Sequence, residues 1–193
     1  MKKKLKIIMC LAIAVITLLS SSSIALAEYL GSGKIIGGAN NILYWRDSSI
    51  YEYKDSVDQG FAYWNGHVSN VSLARTNTKS YSRCDVYWGS HEFQPQSFIY
   101  ARTDLMLNNE HTTNYNQDWY WCEIWFNQEY FNYTEIPSFA ERKGTACHEY
   151  GHFMGLAHPE QTWDRYTIMA QAGSRLVQVP QTDDYNDVAA RYN

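Results

Sequence analysis

The sequence predicts an α+β fold, and three observations carry that reading. Short segments rich in β-branched and aromatic residues recur from residue 41 to residue 127. Helical periodicity occurs once near the start of that region and twice after it. No internal repeat, low-complexity tract or Pro/Gly-rich linker divides the chain behind its amino-terminal apolar segment, so its 193 residues suit one domain.

Residues 41–46 (NILYWR) alternate and are rich in β-formers, which predicts the first strand. Tyr53, Val57, Phe61 and Trp64 then recur at steps of three or four, predicting an amphipathic helix over 51–64. The segments 71–76 (VSLART), 84–89 (CDVYWG), 97–103 (SFIYART) and 121–127 (WCEIWFN) predict further strands, five in all. Polar stretches such as 108–118 (NNEHTTNYNQD) separate them as turns. Ser138 with Glu141 three residues on is a capping-box signature, so a helix is expected from there to about Gly155. On it Cys147, Tyr150, Gly151 and Met154 share the face expected to pack on the sheet, and His148 and His152 share a neighbouring face. Residues 183–192 (DDYNDVAARY) predict a short closing helix.

The amino terminus bounds the destination. Four lysines precede or open an apolar run over 7–19, and Ala25 and Ala27 offer the small residues of a cleavage site. This is the layout of a secretory signal peptide, residues 1–27, and the run is shorter than a bilayer crossing needs. Residues 28–193 are then the mature domain, expected to be secreted, free of the membrane and monomeric. Loss of the four lysines takes the net charge from −4 to −8, with 12 basic against 20 acidic residues. That balance argues against nucleic acid as a partner. Cys84, Cys122 and Cys147 remain, so an oxidising compartment would leave one disulfide and one spare thiol.

The chemistry concentrates in 148–158 (HEYGHFMGLAH). Residues four apart on a helix are neighbours, so His148 and His152 can turn their imidazoles to one ion while Glu149 stands beside them as a base. Gly155 suits the positive φ that ends a helix sharply, and the bend can bring His158 to the same ion as third ligand. At ordinary residue frequencies, a chance match to HExxHxxGxxH in a chain of this length is on the order of one in 10⁵. The set therefore points to a Zn²⁺ site with an open fourth position, not to a helix that merely carries histidines. His67, His91 and His111 lie in polar, turn-like surroundings and are expected to be surface histidines.

With Met169 eleven residues beyond His158, the sequence resembles the metzincin clan of zinc endopeptidases, in its matrixin-like branch, with the serralysin-like branch second. The segment 84–89 is similar to the matrixin strand with an Ala-Asp-Ile pattern, Cys84 taking the small position and Asp85 the acid. Residues 183–192 resemble the matrixin closing helix, with Asp187 where glycine is usual. The likeness covers most of residues 40–193. Pro159 fits the serralysin branch instead, but Gln171 stands where that branch carries a tyrosine, and no calcium-binding nonapeptide repeats follow.

The resemblance implies a metzincin-type zincin fold: a twisted, mixed five-stranded sheet with a backing helix, an active-site helix and a short C-terminal helix. It implies His148, His152 and His158 as zinc ligands, Glu149 as general base and Met169 as a structural floor. It also implies an edge strand, here 97–105, that holds extended protein or peptide substrates. Cys84 and Cys122 would begin adjacent strands and form the disulfide, leaving Cys147 as a small buried residue. A structural Ca²⁺ pattern is not recognisable. The alternative is a secreted zinc-binding or adhesin-like protein that keeps the fold without catalysis.

Overall fold

A computed structural model describes residues 29–89, 93, 99–133, 137–161 and 164–193. The signal segment 1–27, and positions 97 and 98 of the expected substrate strand, lie outside these residues. Strand β1 (Ile42–Arg46) buries Ile42 and Tyr44 by alternation, as its pattern predicts. It pairs in parallel with β2 (Leu73–Arg75) on one side and β3 (Cys84–Gly89) on the other. Strand β6 (Trp121–Asn127) runs parallel to β3, and β4 (Ala101–Leu107) lies antiparallel against β6. A two-residue strand β5 (Glu110–His111) completes the sheet in the order β2-β1-β3-β6-β4-β5.

The fold class stands as α+β, but the sheet has six strands where five were expected. The extra strand lies in the polar stretch read as a turn. Asn108 and Asn109 both take positive φ, 54° and 63°, which two-residue hairpin loops require. That turn folds Glu110–His111 back on Met106 and Leu107. Polarity hid a hairpin whose signal was the Asn-Asn pair. The strand expected at 97–103 is likewise displaced, since its described part runs from Ala101 to Leu107.

The expected first helix divides. Asp47 accepts from the Ser49 amide at 2.8 Å and starts a 3-10 turn, Ser48–Tyr53, before α1 (Lys54–Ala62). A short helix α2 (Gln128–Tyr133), which no periodicity announced, follows β6. Helix α3 (Phe139–Phe153) and the closing α4 (Thr182–Tyr192) match their sequence signals to within two residues.

Helices α1 and α3 cross one face of the sheet, and the core fills the space between. Phe61 of α1 meets Tyr44 of β1 edge-on at 4.9 Å and Tyr150 of α3 at 5.0 Å. Val86, Leu105, Ile124 and Phe126 cover the sheet side, all 1% exposed or less. Each large side chain so buried contributes about 1.5–3 kcal/mol, and this packing fixes α3 against β4. Among the described residues no helix is long and apolar enough to cross a membrane.

The cysteines correct the expected disulfide. Cys84 and Cys122 are opposed residues in the β3–β6 ladder, but both are free thiols, as is Cys147. Opposed ladder positions project side chains in parallel from the same face, and here both sulfurs are sealed in the core. Burial first, then the hydrogen bond with Cys84, pushes the Cys122 thiol well above its usual range. Cys147 is the small buried residue expected, with Sγ 3.0 Å from the Gly60 carbonyl.

Candidate metal centre and cleft

The site is built on α3. Ser138 accepts from the Glu141 amide at 3.2 Å, and the Glu141 carboxylate accepts from the Ser138 amide at 2.7 Å. This capping box satisfies two of the first-turn donors and sets the start of the helix. Its far end is closed from outside: Trp119 Nε1 donates to the Phe153 carbonyl at 3.0 Å, and the Tyr192 hydroxyl to that of Met154 at 3.2 Å. Gly155 then takes φ +91°, and a Cβ there would stand 2.6 Å from Arg191 Nε. The positive φ calls for glycine at the bend that returns the chain to His158, and any side chain there would also displace the Arg191 guanidinium.

The three histidine Nε2 atoms converge. His152 lies 3.0 Å from His148, His158 lies 3.1 Å from His148, and His152 lies 3.2 Å from His158. The far nitrogens fix the tautomers of two of them. His148 Nδ1 donates to the Ile168 carbonyl at 2.9 Å, and His152 Nδ1 to the Leu156 carbonyl at 2.8 Å. A carbonyl only accepts, so in the neutral ring the proton sits on Nδ1 and Nε2 presents a bare lone pair. Lone pairs this close repel unless a cation lies between them. For Zn–N bonds of 2.0–2.1 Å, a tetrahedral site sets its nitrogens about 3.3 Å apart, so the donor set fits Zn²⁺. Among the described residues, these histidines are the group of potential ligands close enough to share an ion.

Burial also keeps the rings unprotonated. It holds His148 well below its usual value, with the neighbouring His152 adding to the effect. Burial, then His158, lowers His152 to about 4, and burial lowers His158 as well. Neutral imidazoles are the form that ligates a metal.

Met169 lies beneath the histidines. A Cβ on Gly151, between the two helical histidines, would meet Met169 Sδ at 2.4 Å, so the thioether rests on the bare helix backbone. The turn carrying Met169 is tied to α4: Asp184 accepts from the Ile168 amide at 3.0 Å, from the Thr167 hydroxyl, and from the Gln181 amide at 2.7 Å. Because Ile168 also holds His148, Asp184 braces one of the three converging rings from a distance.

Glu149 is 4% exposed. Burial raises its carboxyl to about 7, opposed by the Thr103 hydroxyl, which lies 2.7 Å from Oε2 and 2.9 Å from the Glu149 carbonyl. A cavity of about 430 Å³ opens here, lined among others by Tyr100, Thr103, Glu149, His152, His158 and Arg175. Strand β4 borders it. β4 is bonded to β6 from Ala101 to Met106, but to β5 only at Met106 and Leu107.

The structure thus brings together His148, His152, His158, Glu149, Gly155 and Met169, all singled out by the sequence pattern. His67 stacks on Tyr185 at 4.4 Å and His111 lies 3.5 Å from Asp104, while His91 lies outside the described residues. Thr103, Asp184 and Arg175 were missed. The first two stand in segments read as a strand and a helix, and no local signal singles them out. Arg175 sits in an irregular stretch that carries no periodicity.

No family model and no curated protein matches the chain. Among solved structures, it resembles one described as the structure of myroilysin, with TM-score 0.51 and 14% identity over 80% of this chain and 93% of that one. Another is described as the GM1-bound form of the ECX AB5 holotoxin, with TM-score 0.48 and 12% identity over 83% and 86%. The likeness to myroilysin supports a metzincin-like fold, and at that identity it speaks for the fold alone.

Proposed function

We propose that the chain is a secreted zinc endopeptidase that hydrolyses peptide bonds of extracellular proteins, with residues 1–27 as its signal peptide and 28–193 as its catalytic domain. The observation that carries this reading is the convergence of three imidazole lone pairs within 3.2 Å beside a buried carboxylate. His148, His152 and His158 would hold the ion. Zn²⁺, when bound, supplies Lewis-acid polarisation of a peptide carbonyl and of a water.

The remaining work belongs to the chain. Glu149 faces the cavity and accepts the proton of the attacking water, then returns it to the departing amine. Burial raises its affinity for a proton, and a bound cation would draw that affinity down toward the ionised form a base requires. Thr103 fixes which carboxylate oxygen faces inward by donating to the other. Among the described residues no strand pairs with the outer edge of β4 ahead of Met106, and that edge offers an extended peptide a strand to pair with. Matrixin-like and serralysin-like affinities stay alternatives of branch within this reading.

Purified protein should bind about one zinc per chain and cleave an unfolded protein until a chelator is added. Glu149→Gln should retain zinc and lose about 10²–10⁴-fold in kcat. Undiminished turnover in that variant would remove Glu149 from the mechanism. Full zinc occupancy without cleavage of any peptide would support a zinc-binding or adhesin-like protein instead.

A further inference from the structure

Arg175 is a buried cation that the Glu149 and Glu141 carboxylates influence from a distance, with neither in ion-pair contact. It is 7% exposed and lines the cavity beside Glu149. A guanidinium carries five N–H donors. Here one N–H group reaches the Gln178 side-chain oxygen at 3.2 Å, another the Ile168 carbonyl at a long 3.5 Å, and Nε has no partner. No described carboxylate forms an ion pair with it. The other guanidinium on the cavity wall, Arg102, is paired with Asp104 at 2.7 Å.

A guanidinium acting only as a strut would have its donors met inside the protein. Leaving a buried charge uncompensated is costly, and a cavity wall is where a ligand can supply what is missing. The position is defined from two directions. The Arg175 amide donates to the Gln171 carbonyl at 2.9 Å, closing a turn just beyond Met169. On the other side, the space over Gly144 of α3 is filled by the Gln178 oxygen and an Arg175 nitrogen, which a Cβ would meet at 2.0 and 3.0 Å. Gly144 stands one helical turn, roughly 6 Å, before His148. A peptide with its carbonyl at the histidines would bring a neighbouring side chain to this guanidinium.

Resting on the peptidase reading above, we propose that Arg175 determines specificity by binding a carboxylate of the substrate next to the bond that is cut. The carboxylate has two sources: the side chain of an aspartate or glutamate within a peptide, or the free C-terminus of a peptide ending there. The planar fork of the guanidinium matches either one.

The test compares alanine/glycine octapeptides, acetylated and C-amidated, that carry Glu or Gln at each position in turn. A second pair ends one residue beyond the cut, as free acid or as amide. The zinc-loaded wild-type protein should prefer Glu to Gln at one position, or the free acid to the amide, by roughly 10- to 100-fold in kcat/KM. The pair that shows the preference identifies the source. In Arg175→Gln the ratio within that pair should fall to within about threefold of one, and Arg175→Lys should restore part of it. Equal rates for both wild-type pairs overturn the proposal, as does a preference that survives in Arg175→Gln. The wild-type comparison decides even if the variants do not fold. If nothing is cleaved, the peptidase reading fails separately, and tryptophan-quenching titrations of the wild-type protein with the same peptides take over. Tighter binding of the acid member then keeps Arg175 as a carboxylate site, and equal binding removes it.

Discussion

Thr103 and Glu149 are 46 residues apart in sequence, yet their side chains share a 2.7 Å hydrogen bond at the centre of the site. Thr103→Val keeps the shape and removes the donor, leaving a buried carboxylate oxygen unsatisfied. That costs about 1–3 kcal/mol. We expect a fall in kcat of about tenfold or more with zinc content unchanged, measured by steady-state kinetics alongside metal analysis. The raised Glu149 and the lowered histidines also make opposite contributions to stability in metal-free protein. Folded Glu149 holds its proton up to about 7 while the unfolded chain releases it near 4.5, so its contribution is lost as pH rises through that window. His152 resists protonation down to about 4 against an unfolded value near 6.5, so its contribution is lost as pH falls through that range. Metal-free Glu149→Gln should therefore gain stability with rising pH more steeply than the parent between pH 4.5 and 7, read from denaturant midpoints.

At the scale of elements, the bend after α3 decides whether His158 joins the two histidines of the helix. Gly155→Ala forces a side chain onto a residue at φ +91° and into Arg191. The backbone strain alone costs about 1–2 kcal/mol. Because the bend positions His158, the loss should fall on the metal as well. The variant should bind zinc at least tenfold more weakly in a chelator competition, while far-UV circular dichroism stays close to the parent's. The opposite result, a lowered stability with unchanged zinc affinity, would mean that His158 finds its place independently of the bend. Helix α4 acts from farther off, since Asp184 ties the Met169 turn through the Ile168 amide and Thr167 hydroxyl. Burial raises the Asp184 carboxyl, and its three donors work against that. A helix read from its own sequence as a closing element therefore also supports the turn that orients His148.

For the whole molecule, the ion should act as a cross-link between α3 and the segment beyond it. A ligand that binds the folded chain alone adds RT ln(1 + [L]/Kd), about 2.7 kcal/mol at a hundredfold excess over Kd. Zinc should thus raise Tm in a concentration-dependent way, and a calorimetric scan that does not respond to zinc would argue against the site. Much of this molecule was legible in its sequence: the β-rich segments, the capping box at Ser138, and the spacing of His148, Glu149, His152, Gly155, His158 and Met169. These signals are local, because a helix turn or a strand's alternation fixes which nearby residues share a face. The sheet's sixth strand was carried by two positive-φ asparagines inside a polar run, which polarity alone disguised. The tertiary structure alone decided that Cys84 and Cys122 are thiols sealed in the core, that Thr103 holds Glu149, that Asp184 braces the Met169 turn, and that Arg175 lines the cavity with its Nε unpartnered. Those are contacts between segments far apart in the chain, made when α1 and α3 pack on the sheet, and no periodicity within a segment encodes them.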